Sequence, residues 1–260
     1  MGLLEGKTGL VVGVANDHSI AWGIAKALHA KGADLGFSYV GEALERRVRP
    51  LAQSLNSRLI EPCDVQSDEQ IAALMARVRE VYGHIDILVH GAAFARREEL
   101  SGEYLKTSRD GFHVAMDVSV YSLVALVRAA RELLFPGASI LTLTYHGSQQ
   151  VAPNYNVMGV AKAALEASVR YLASDLGPDG VRVNAISAGP IRTLSASAVG
   201  NFRTLHRQFA DVAPLRRNVT IEDVGNTAVW LCSELGSAVT GETIYVDAGF
   251  HNVMGIALTE

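Results

Sequence analysis

The chain has 260 residues, of which 49% are hydrophobic and 19% charged, and its formal net charge at pH 7 is -4. This length suits one large α/β domain, and the composition leaves little room for disorder. The chain carries no excess of basic residues, which argues against nucleic acid as a partner.

Two features of the chain bear on its compartment. The N-terminal residues 1–15 lack the basic head, long apolar stretch and cleavage site of a secretory signal, and we expect no membrane-spanning run. Cys63 and Cys232 lie far apart in apolar segments, which predicts buried thiols and neither a disulfide nor a metal site. We therefore expect a cytoplasmic protein without membrane attachment or metal.

Short apolar runs of strand character alternate with longer segments of helical period. The predicted strands are TGLVVGV from Thr8, DLGFSY from Asp34, RLIEP from Arg58, IDILVH from Ile85, SILTLT from Ser139, VRVNAI from Val181 and TIYVD from Thr243. The predicted helices cover residues 19–31, 41–55, 67–82, 109–134, 154–176 and 220–233. Such alternation requires right-handed crossovers and a parallel sheet covered on both faces. It predicts an α/β fold, a single doubly wound Rossmann-type domain over residues 1–260 with a seven-stranded parallel sheet.

The first strand leads directly into Gly13, and the next helix is predicted to begin at Ser19 and Ile20. A glycine at a strand exit permits a tight turn, and the free amides of a helix start attract a pyrophosphate. The spacing differs from the G-x-G-x-x-G pattern, so a plain turn with a helix contact is the alternative. The position on the first strand-to-helix turn favours a dinucleotide site.

Three further loops leave predicted strands where a dinucleotide would lie. Asp64 and Val65 follow the third strand and either meet an adenine or belong to the cap region of the next helix. Ala92 follows the fourth strand between small residues, which let the chain pass close to a ribose or nicotinamide or simply form a tight turn. Ile191 and Thr193 follow the sixth strand and can offer a backbone group and a hydroxyl to a carboxamide or phosphate.

Tyr155 and Lys162 stand seven residues apart in a predicted helix, and Tyr145 ends the apolar run of the fifth strand. Seven residues fall about 20° short of two helical turns, so the phenol and the ammonium share one helix face. A lysine beside a tyrosine favours the phenolate and makes the phenol a better acid for an oxygen on which charge develops. The alternative is an amphipathic helix that carries one of each by chance.

Several motifs together resemble the bacterial NADH-dependent enoyl-acyl-carrier-protein reductases, a divergent branch of the short-chain dehydrogenase/reductase superfamily. They are residues 13–23, Tyr145, NYNVMGVAKA, VRVNAISAGPIRTL, TIEDVGN and TGETIYVDAG. Ordinary members of the superfamily carry Ser-x12-Tyr-x3-Lys. Counted back from Lys162, that pattern meets Met158 and Tyr145, and Tyr155 stands about one helical turn earlier. This displaced tyrosine is the mark of the enoyl reductase branch.

The resemblance implies the last step of the fatty acid elongation cycle, in which a nicotinamide hydride adds to C3 of a trans-2-enoyl thioester carried by acyl carrier protein. It implies that Tyr155 donates to the enolate oxygen, that Lys162 bonds the nicotinamide ribose and that Tyr145 orients the thioester. The implied cofactor contacts are Gly13, Ser19, Ile20, Val40, Asp64, Val65, Ala92, Lys162, Ile191, Thr193 and Ser195. The implied substrate contacts are Ala95, Tyr145, Tyr155 and Phe202.

The chain departs from the family pattern beside the cofactor. Val40 stands after the second strand where the family usually has a glutamine, and no acidic residue or Arg-Lys pair replaces it. The resemblance favours NADH, and NADPH is not excluded. His146 follows Tyr145 where a small or apolar residue is frequent.

Residues 191–210 suit a lid that orders over an acyl chain, or alternatively a short surface helix. The resemblance implies that Arg203, His206 and Arg207 meet the acidic carrier protein. The predicted helices 109–134 and 154–176 are apolar over more than one face, and the family forms tetramers through them, so we expect a homotetramer.

Two other functions stay open at this point. A 3-oxoacyl or carbonyl reductase of the same superfamily would need tyrosine in place of Met158 and serine in place of Tyr145. A catalytically silent dinucleotide-binding regulatory protein would keep the fold, but retention of Tyr145, Tyr155 and Lys162 argues against it.

Overall fold

The computed structural model describes residues 2–194 and 202–253. Within these residues, seven parallel strands form one sheet in the order β3-β2-β1-β4-β5-β6-β7. The strands are β1 (Thr8–Val12), β2 (Asp34–Tyr39), β3 (Ile60–Pro62), β4 (Ile85–His90), β5 (Leu134–Thr144), β6 (Arg182–Ala188) and β7 (Thr243–Val246). The prediction of a doubly wound fold with seven parallel strands is confirmed.

Helices cover both faces of the sheet. They are α1 (Ile20–His29), α2 (Gly41–Ser54), α3 (Asp68–Tyr82), α4 (Arg109–Met116), α5 (Ser122–Ala130), α6 (Asn156–Leu176), α7 (Phe202–Val212) and α8 (Ile221–Cys232). Side chains of α1, α2 and α8 share one apolar core with the sheet, and those of α3, α5 and α6 share another. β1, β4 and β6 are buried along their whole length, so even their polar side chains, such as Asp86 and Asn184, lie inside the fold.

The predicted helix 109–134 is wrong in two respects. A π-helical turn, Asp117–Tyr121, separates α4 from α5, and the helix ends at Ala130. Leu134 instead begins β5, where it pairs with Ile85 before a register irregularity. Pro136 and Gly137, which has a φ of 91°, cannot continue a helix, so the apolar residues before them join the sheet.

The run Arg109–Ala130 has a mean hydropathy of 1.4 over its most apolar window and is long enough to cross a membrane by length and composition. The expectation that no apolar run reaches this length is therefore wrong for this segment. Its residues nevertheless pack on α3 and α6, and 44% of that window is buried inside the fold. A helix in a protein core meets the same criterion, so the run is weak evidence for a membrane span.

The two cysteines are buried, as predicted, with Cys63 3% exposed and Cys232 2% exposed. Burial raises the pKa of the Cys63 thiol to about 11 and that of Cys232 to about 12. Both side chains are therefore neutral thiols at physiological pH, when they behave as small apolar groups.

Candidate active site

The loops that leave the carboxyl ends of the strands lie along one edge of the sheet, because all the strands are parallel. In doubly wound folds this edge carries the ligand site. The residues that begin these loops, in the chain order of the strands, are Gly13, Val40, Cys63, Gly91, Tyr145 and Gly189. Most of the predicted cofactor and catalytic residues follow these positions, while Ile20 begins α1 and Lys162 lies within α6.

Gly13 is required by the packing of two neighbouring loops. Its φ is 97°, and a Cβ atom there would lie 2.3 Å from the carbonyl carbon of Gly91 and 2.5 Å from the amide nitrogen of Ala92. The amide of Gly91 also donates to Val12 O at 2.8 Å, which holds the exit of β4 against the exit of β1. Only glycine permits this close approach at the centre of the candidate cofactor edge.

We expect Gly13→Ala to lower the free energy of unfolding by about 3 kcal/mol, because strained backbone and a clash with backbone atoms act together. Chemical denaturation of the purified variant measures this loss. Gly6→Ala is the matched control, since Gly6 has a φ of 78° but no atom within 4 Å of a built Cβ. We expect a loss of only about 1 kcal/mol there. Equal losses in the two variants would contradict the close approach.

Ser19 orders the turn between β1 and α1. Its hydroxyl accepts the amides of Ala15 and Asn16, each at 3.0 Å, and its side chain is buried. Ile20 then begins α1, where the amides of Trp22 and Gly23 donate to Ser19 O at 3.0 Å and 3.1 Å, so the amides of Ile20 and Ala21 are the ones that a helix start leaves for a ligand. A folded turn that ends in a helix N-terminus suits a phosphate group.

The predicted adenosine contacts differ in exposure. Val40 is 48% exposed just before α2, and the nearest acidic residue along the chain is Glu42 in the first turn of that helix. Asp64 accepts the amide of Gln66 at 3.0 Å, so its carboxylate stabilises its own turn, while Val65 packs on the second core. Asp64 also belongs to the cap region of α3, because its amide donates to Gln70 Oε1 at 2.9 Å and its carbonyl oxygen accepts from the amide of the capping residue Ser67 at 3.0 Å, and this does not exclude a contact with adenine.

The remaining cofactor candidates lie in two neighbouring loops. Ala92 packs at the margin of the second core, and Ile191, 9% exposed, packs in the first. Thr193 is partly buried after β6, and Ser195 lies outside the described residues. Phe202 begins α7, and only its backbone is described.

Tyr145 and Tyr155 are in contact. Tyr145 leaves β5 in extended conformation and precedes a 3-10 turn, His146–Ser148. The two rings meet edge to face with their centroids 5.0 Å apart. A Cβ at Gly147 would lie 2.7 Å from Tyr155 Cδ1 and 3.1 Å from Tyr145 Cδ1, so the glycine leaves room for both rings.

Tyr155 does not stand inside a helix, as the sequence analysis assumed, because α6 begins at Asn156 and Tyr155 is the residue before it. Asn154 has a φ of 62°, which lies in the left-handed region, so the chain is not α-helical at that residue. Lys162 lies within α6, is 6% exposed, and donates from Nζ to Leu143 O at 2.7 Å. The lysine is thus fixed against the end of β5.

The charges of the site are set mainly by burial. Burial raises the pKa of Tyr155, and Tyr145 and Glu166 raise it further. Burial lowers the pKa of Lys162 to about 8, and Glu166 opposes this shift. We expected Lys162 to favour the phenolate of Tyr155 and so lower its pKa. In the protein without cofactor this expectation is wrong, because the pKa of Tyr155 is raised. Tyr155 is a neutral phenol over the physiological range, which is the form that donates a hydrogen bond.

An apolar wall adjoins Tyr155. Ala93, Ala95, Phe112 and Tyr155 pack on a small cluster formed by Leu100, Ala115, Val157 and Met158. Met158, which stands where the superfamily usually has its tyrosine, is 6% exposed, and its Sδ accepts from the hydroxyl of Ser119 at 3.7 Å. The structure thus brings the predicted substrate contact Ala95 and Tyr155 into one cluster.

The sequence analysis missed two buried polar residues near this site. His90 bridges the hydroxyls of Thr142 and Ser122 at 2.8 Å each, and burial lowers its pKa to about 3. Glu166 lies one helical turn after Lys162 and is 3% exposed. The signal available for Glu166 was its i,i+4 spacing from Lys162, which puts the two on one helix face.

This combination of a doubly wound sheet, a glycine-dependent dinucleotide edge and a Tyr-Lys pair defines a reductase of the short-chain dehydrogenase/reductase superfamily. Residues 13–251 match the family described as Enoyl-(Acyl carrier protein) reductase. The chain belongs to this family, as the sequence motifs predicted.

Curated relatives and solved structures agree with this assignment. The NADH-dependent enoyl-[acyl-carrier-protein] reductase of Bacillus cereus is 55% identical over 253 residues, which cover 96% of this chain and 99% of that protein. Enoyl-[acyl-carrier-protein] reductase [NADH] 1 of Rhizobium meliloti is 54% identical over 252 residues, covering 97% and 93%.

Two solved structures carry a cofactor. The Bacillus cereus reductase with NADP+ and indole naphthyridinone has a TM-score of 0.95 at 55% identity, covering 97% of this chain and 99% of that one. The Anaplasma phagocytophilum reductase in complex with NAD has a TM-score of 0.94 at 46% identity, covering 100% and 97%.

Proposed function

We propose that this protein reduces the C2–C3 double bond of trans-2-enoyl-acyl-carrier-protein thioesters with NADH, the last step of the fatty acid elongation cycle. The observation that carries the proposal is the contact between Tyr145 and Tyr155, with Lys162 buried and bonded to Leu143 O near the end of β5, and with a methionine at position 158. The names of the relatives, which are NADH-dependent enoyl reductases, support the same reaction.

The carboxyl edge of the sheet fits the cofactor. The turn ordered by Ser19, the start of α1 at Ile20 and the small residues at 91–93 lie along this edge, where glycine and alanine add little side-chain bulk beside a dinucleotide. Gly13, Asp64, Val65, Ile191, Thr193 and Ser195 complete the proposed contacts along this edge. NADH supplies the hydride that adds to C3 of the substrate.

Tyr155 is the proposed donor to the thioester oxygen. Hydride addition at C3 places negative charge on that oxygen, and a neutral phenol in a buried site stabilises it by a hydrogen bond. Tyr145 contacts Tyr155 edge to face and orients the thioester, and Ala95 and Phe202 belong to the proposed acyl pocket. Lys162 holds the nicotinamide ribose and keeps the local potential positive.

The carbonyl reductase alternative is disfavoured by Met158. A thioether has no proton to give to a ketone oxygen, and its sulfur already accepts from Ser119. A silent dinucleotide-binding protein would not need the contact between Tyr145 and Tyr155 together with a buried Lys162. The proposal is tested by the loss of reduced-nicotinamide absorbance with a trans-2-enoyl thioester, with an acetoacetyl thioester as control. Oxidation with the ketone alone would refute it.

The cofactor preference is open to a direct test at Val40. Because this exposed side chain offers nothing to a 2′-hydroxyl or a 2′-phosphate, we expect Val40→Arg to raise kcat/KM for NADPH relative to NADH by about tenfold or more. Steady-state kinetics with both cofactors measure the ratio. Val40→Gln is the matched control, since an amide brings no charge. An unchanged ratio in Val40→Arg would show that residue 40 does not face the ribose.

We also propose that residues 1–260 form one domain in which 191–210 closes over the acyl chain. The end of α7 is anchored, because Phe209 is 3% exposed and stacks on Phe250 with centroids 4.4 Å apart. His206 is held by Asn218 at 3.1 Å, whereas Arg207 is exposed. The contact of Arg203 and Arg207 with the acidic carrier protein is part of this proposal.

The assembly is proposed to be a homotetramer located in the cytoplasm. Tyr121, Val160 and Tyr171 are 45%, 38% and 76% exposed on the π-helical turn and α6, which leaves an aromatic and apolar surface on the two predicted interface helices. Light scattering of the purified protein tests the assembly, and a monomer at micromolar concentration would refute it.

A further inference from the structure

Glu166 is a buried carboxylate that the reaction as described above does not use. It is 3% exposed, and its two oxygens accept hydrogen bonds from three side chains. Thr144 Oγ1 and Ser148 Oγ donate to Oε1 at 2.7 Å and 2.5 Å, and Gln149 Nε2 donates to Oε2 at 2.7 Å. All three donors belong to the short segment 144–149 that carries Tyr145.

A second contact fixes the same segment to α6. The carbonyl oxygen of Gly147 would lie 2.9 Å from a Cβ built on Gly159, so the 3-10 turn rests directly on the helix backbone. Glu166 holds the two ends of the segment from farther along the same helix. The direction of Tyr145, and through ring contact that of Tyr155, therefore depends on this attachment.

The negative charge has no hydrogen-bonded cation among these partners. Lys162 precedes Glu166 by four residues, but its ammonium donates to Leu143 O. A buried carboxylate is costly, and three neutral donors could equally be satisfied by an uncharged acceptor. An uncharged acceptor would not provide a negative charge, however. The carboxylate of Glu166 lies one helical turn from the buried ammonium of Lys162, where the effective dielectric constant is low and a charge acts strongly.

We propose that Glu166 is a positioning residue of the active site: its carboxylate fixes the Tyr145 segment by three hydrogen bonds, and its charge keeps Lys162 in the ammonium form. The proposal rests on the function proposed above. It assigns Glu166 no contact with substrate or cofactor.

Four other ionisable groups near this pair stay neutral over the range in which Lys162 titrates. His90 on β4 interacts with Lys162, but its pKa is lowered to about 3. Burial raises the pKa of Tyr155 before α6, of Tyr145 after β5 and of Tyr245 on β7.

Lys162, by contrast, has a pKa lowered to about 8 by burial, and Glu166 is the group among the described residues that raises it. A raised pKa means that the ammonium persists to higher pH. Loss of the Glu166 charge must then move the deprotonation of Lys162 to lower pH.

Glu166→Gln separates charge from geometry. The introduced oxygen can accept from Thr144 and Ser148, and the amide of Gln149 can turn to accept from the introduced NH2 group. We expect the alkaline limb of NADH binding, measured by fluorescence titration of the intact protein from about pH 6 to about pH 10, to move down by about one pH unit. An alkaline limb at the parent position would overturn the electrostatic half of the proposal.

Two control variants complete the test. Ser148→Ala removes one hydrogen bond and keeps the charge, so we expect an unmoved alkaline limb and a lower kcat with an enoyl thioester. In a Lys162→Met background, Glu166→Gln is expected to leave the binding profile unchanged, since the titrating group is gone. A shift that persists without Lys162 would overturn the proposal.

Glu166→Asp keeps the charge on a shorter side chain that cannot reach all three donors. We expect it to retain the alkaline limb and lose turnover, and this variant serves if Glu166→Gln does not fold. If Glu166→Asp instead keeps full turnover, the hydrogen bonds that attach the Tyr145 segment are not needed for catalysis, and the positioning half of the proposal is overturned. A parent enzyme that binds NADH but never reduces the enoyl thioester would refute the proposed function instead.

Discussion

Replacement of Tyr155 by phenylalanine is expected to lower kcat for a trans-2-enoyl thioester by about 100- to 1,000-fold. The hydroxyl is the only group removed, and the ring keeps its edge-to-face contact with Tyr145. Because the phenol acts on the oxygen after hydride addition begins, the dissociation constant of NADH should stay within about threefold of the parent value. Stopped-flow turnover and fluorescence titration give the two numbers.

Tyr145→Phe is the matched control for this variant. It removes the other phenol of the pair, which orients the substrate in our account, and we expect a loss of about tenfold, mainly in kcat/KM. A kcat for Tyr155→Phe within a factor of a few of the parent would remove Tyr155 from the role of donor. A larger loss for Tyr145→Phe than for Tyr155→Phe would exchange the two roles.

Lys162→Met is expected to weaken NADH binding by about 10- to 100-fold at pH 7, the cost of losing a hydrogen bond to a charged donor. Methionine keeps most of the buried volume, so the loss reports the ammonium rather than a cavity. The pH dependence gives a second readout. Because the pKa of Lys162 lies near 8, binding by the parent should weaken as pH rises through about that value, and binding by the variant should not.

Isothermal titration with NADH at several pH values measures both effects. Lys31→Met is the control, since Lys31 is exposed after α1, near the start of the chain and away from the carboxyl edge. We expect that variant to bind NADH like the parent. If Lys162→Met also bound NADH like the parent at neutral pH, the lysine would not contact the cofactor.

The fold was predictable because the strands and helices differ in length and period. Each predicted strand is observed, and the errors occur where neighbouring elements share apolar character. The run before Pro136 continues the helical pattern, so nothing in its period separates the end of α5 from the start of β5. Helix α7 is the short surface helix that the sequence offered as an alternative to a lid. Its apolar residues, Phe202, Leu205, Phe209 and Val212, have helical spacing, but the small residues before them have no such pattern.

The sequence predicted which residues belong to the candidate site, but it did not predict the contacts that they make. Helical spacing related Tyr155 to Lys162, but the tyrosine lies before α6 and the lysine donates to a backbone oxygen of β5. The burial that sets both pKa values depends on tertiary packing. Glu166 escaped notice for the same reason, since its three donors come from a turn whose path the sequence pattern does not define.

The central claim is that hydride reaches C3 of an enoyl thioester in this site while a phenol stabilises the oxygen. One turnover with NADH deuterated at both C4 positions, followed by NMR of the acyl product, tests it most directly. The account predicts a saturated thioester with one deuterium at C3 and a solvent proton at C2. Deuterium at C2, or deuterium on the carbonyl carbon with the double bond intact, would contradict it.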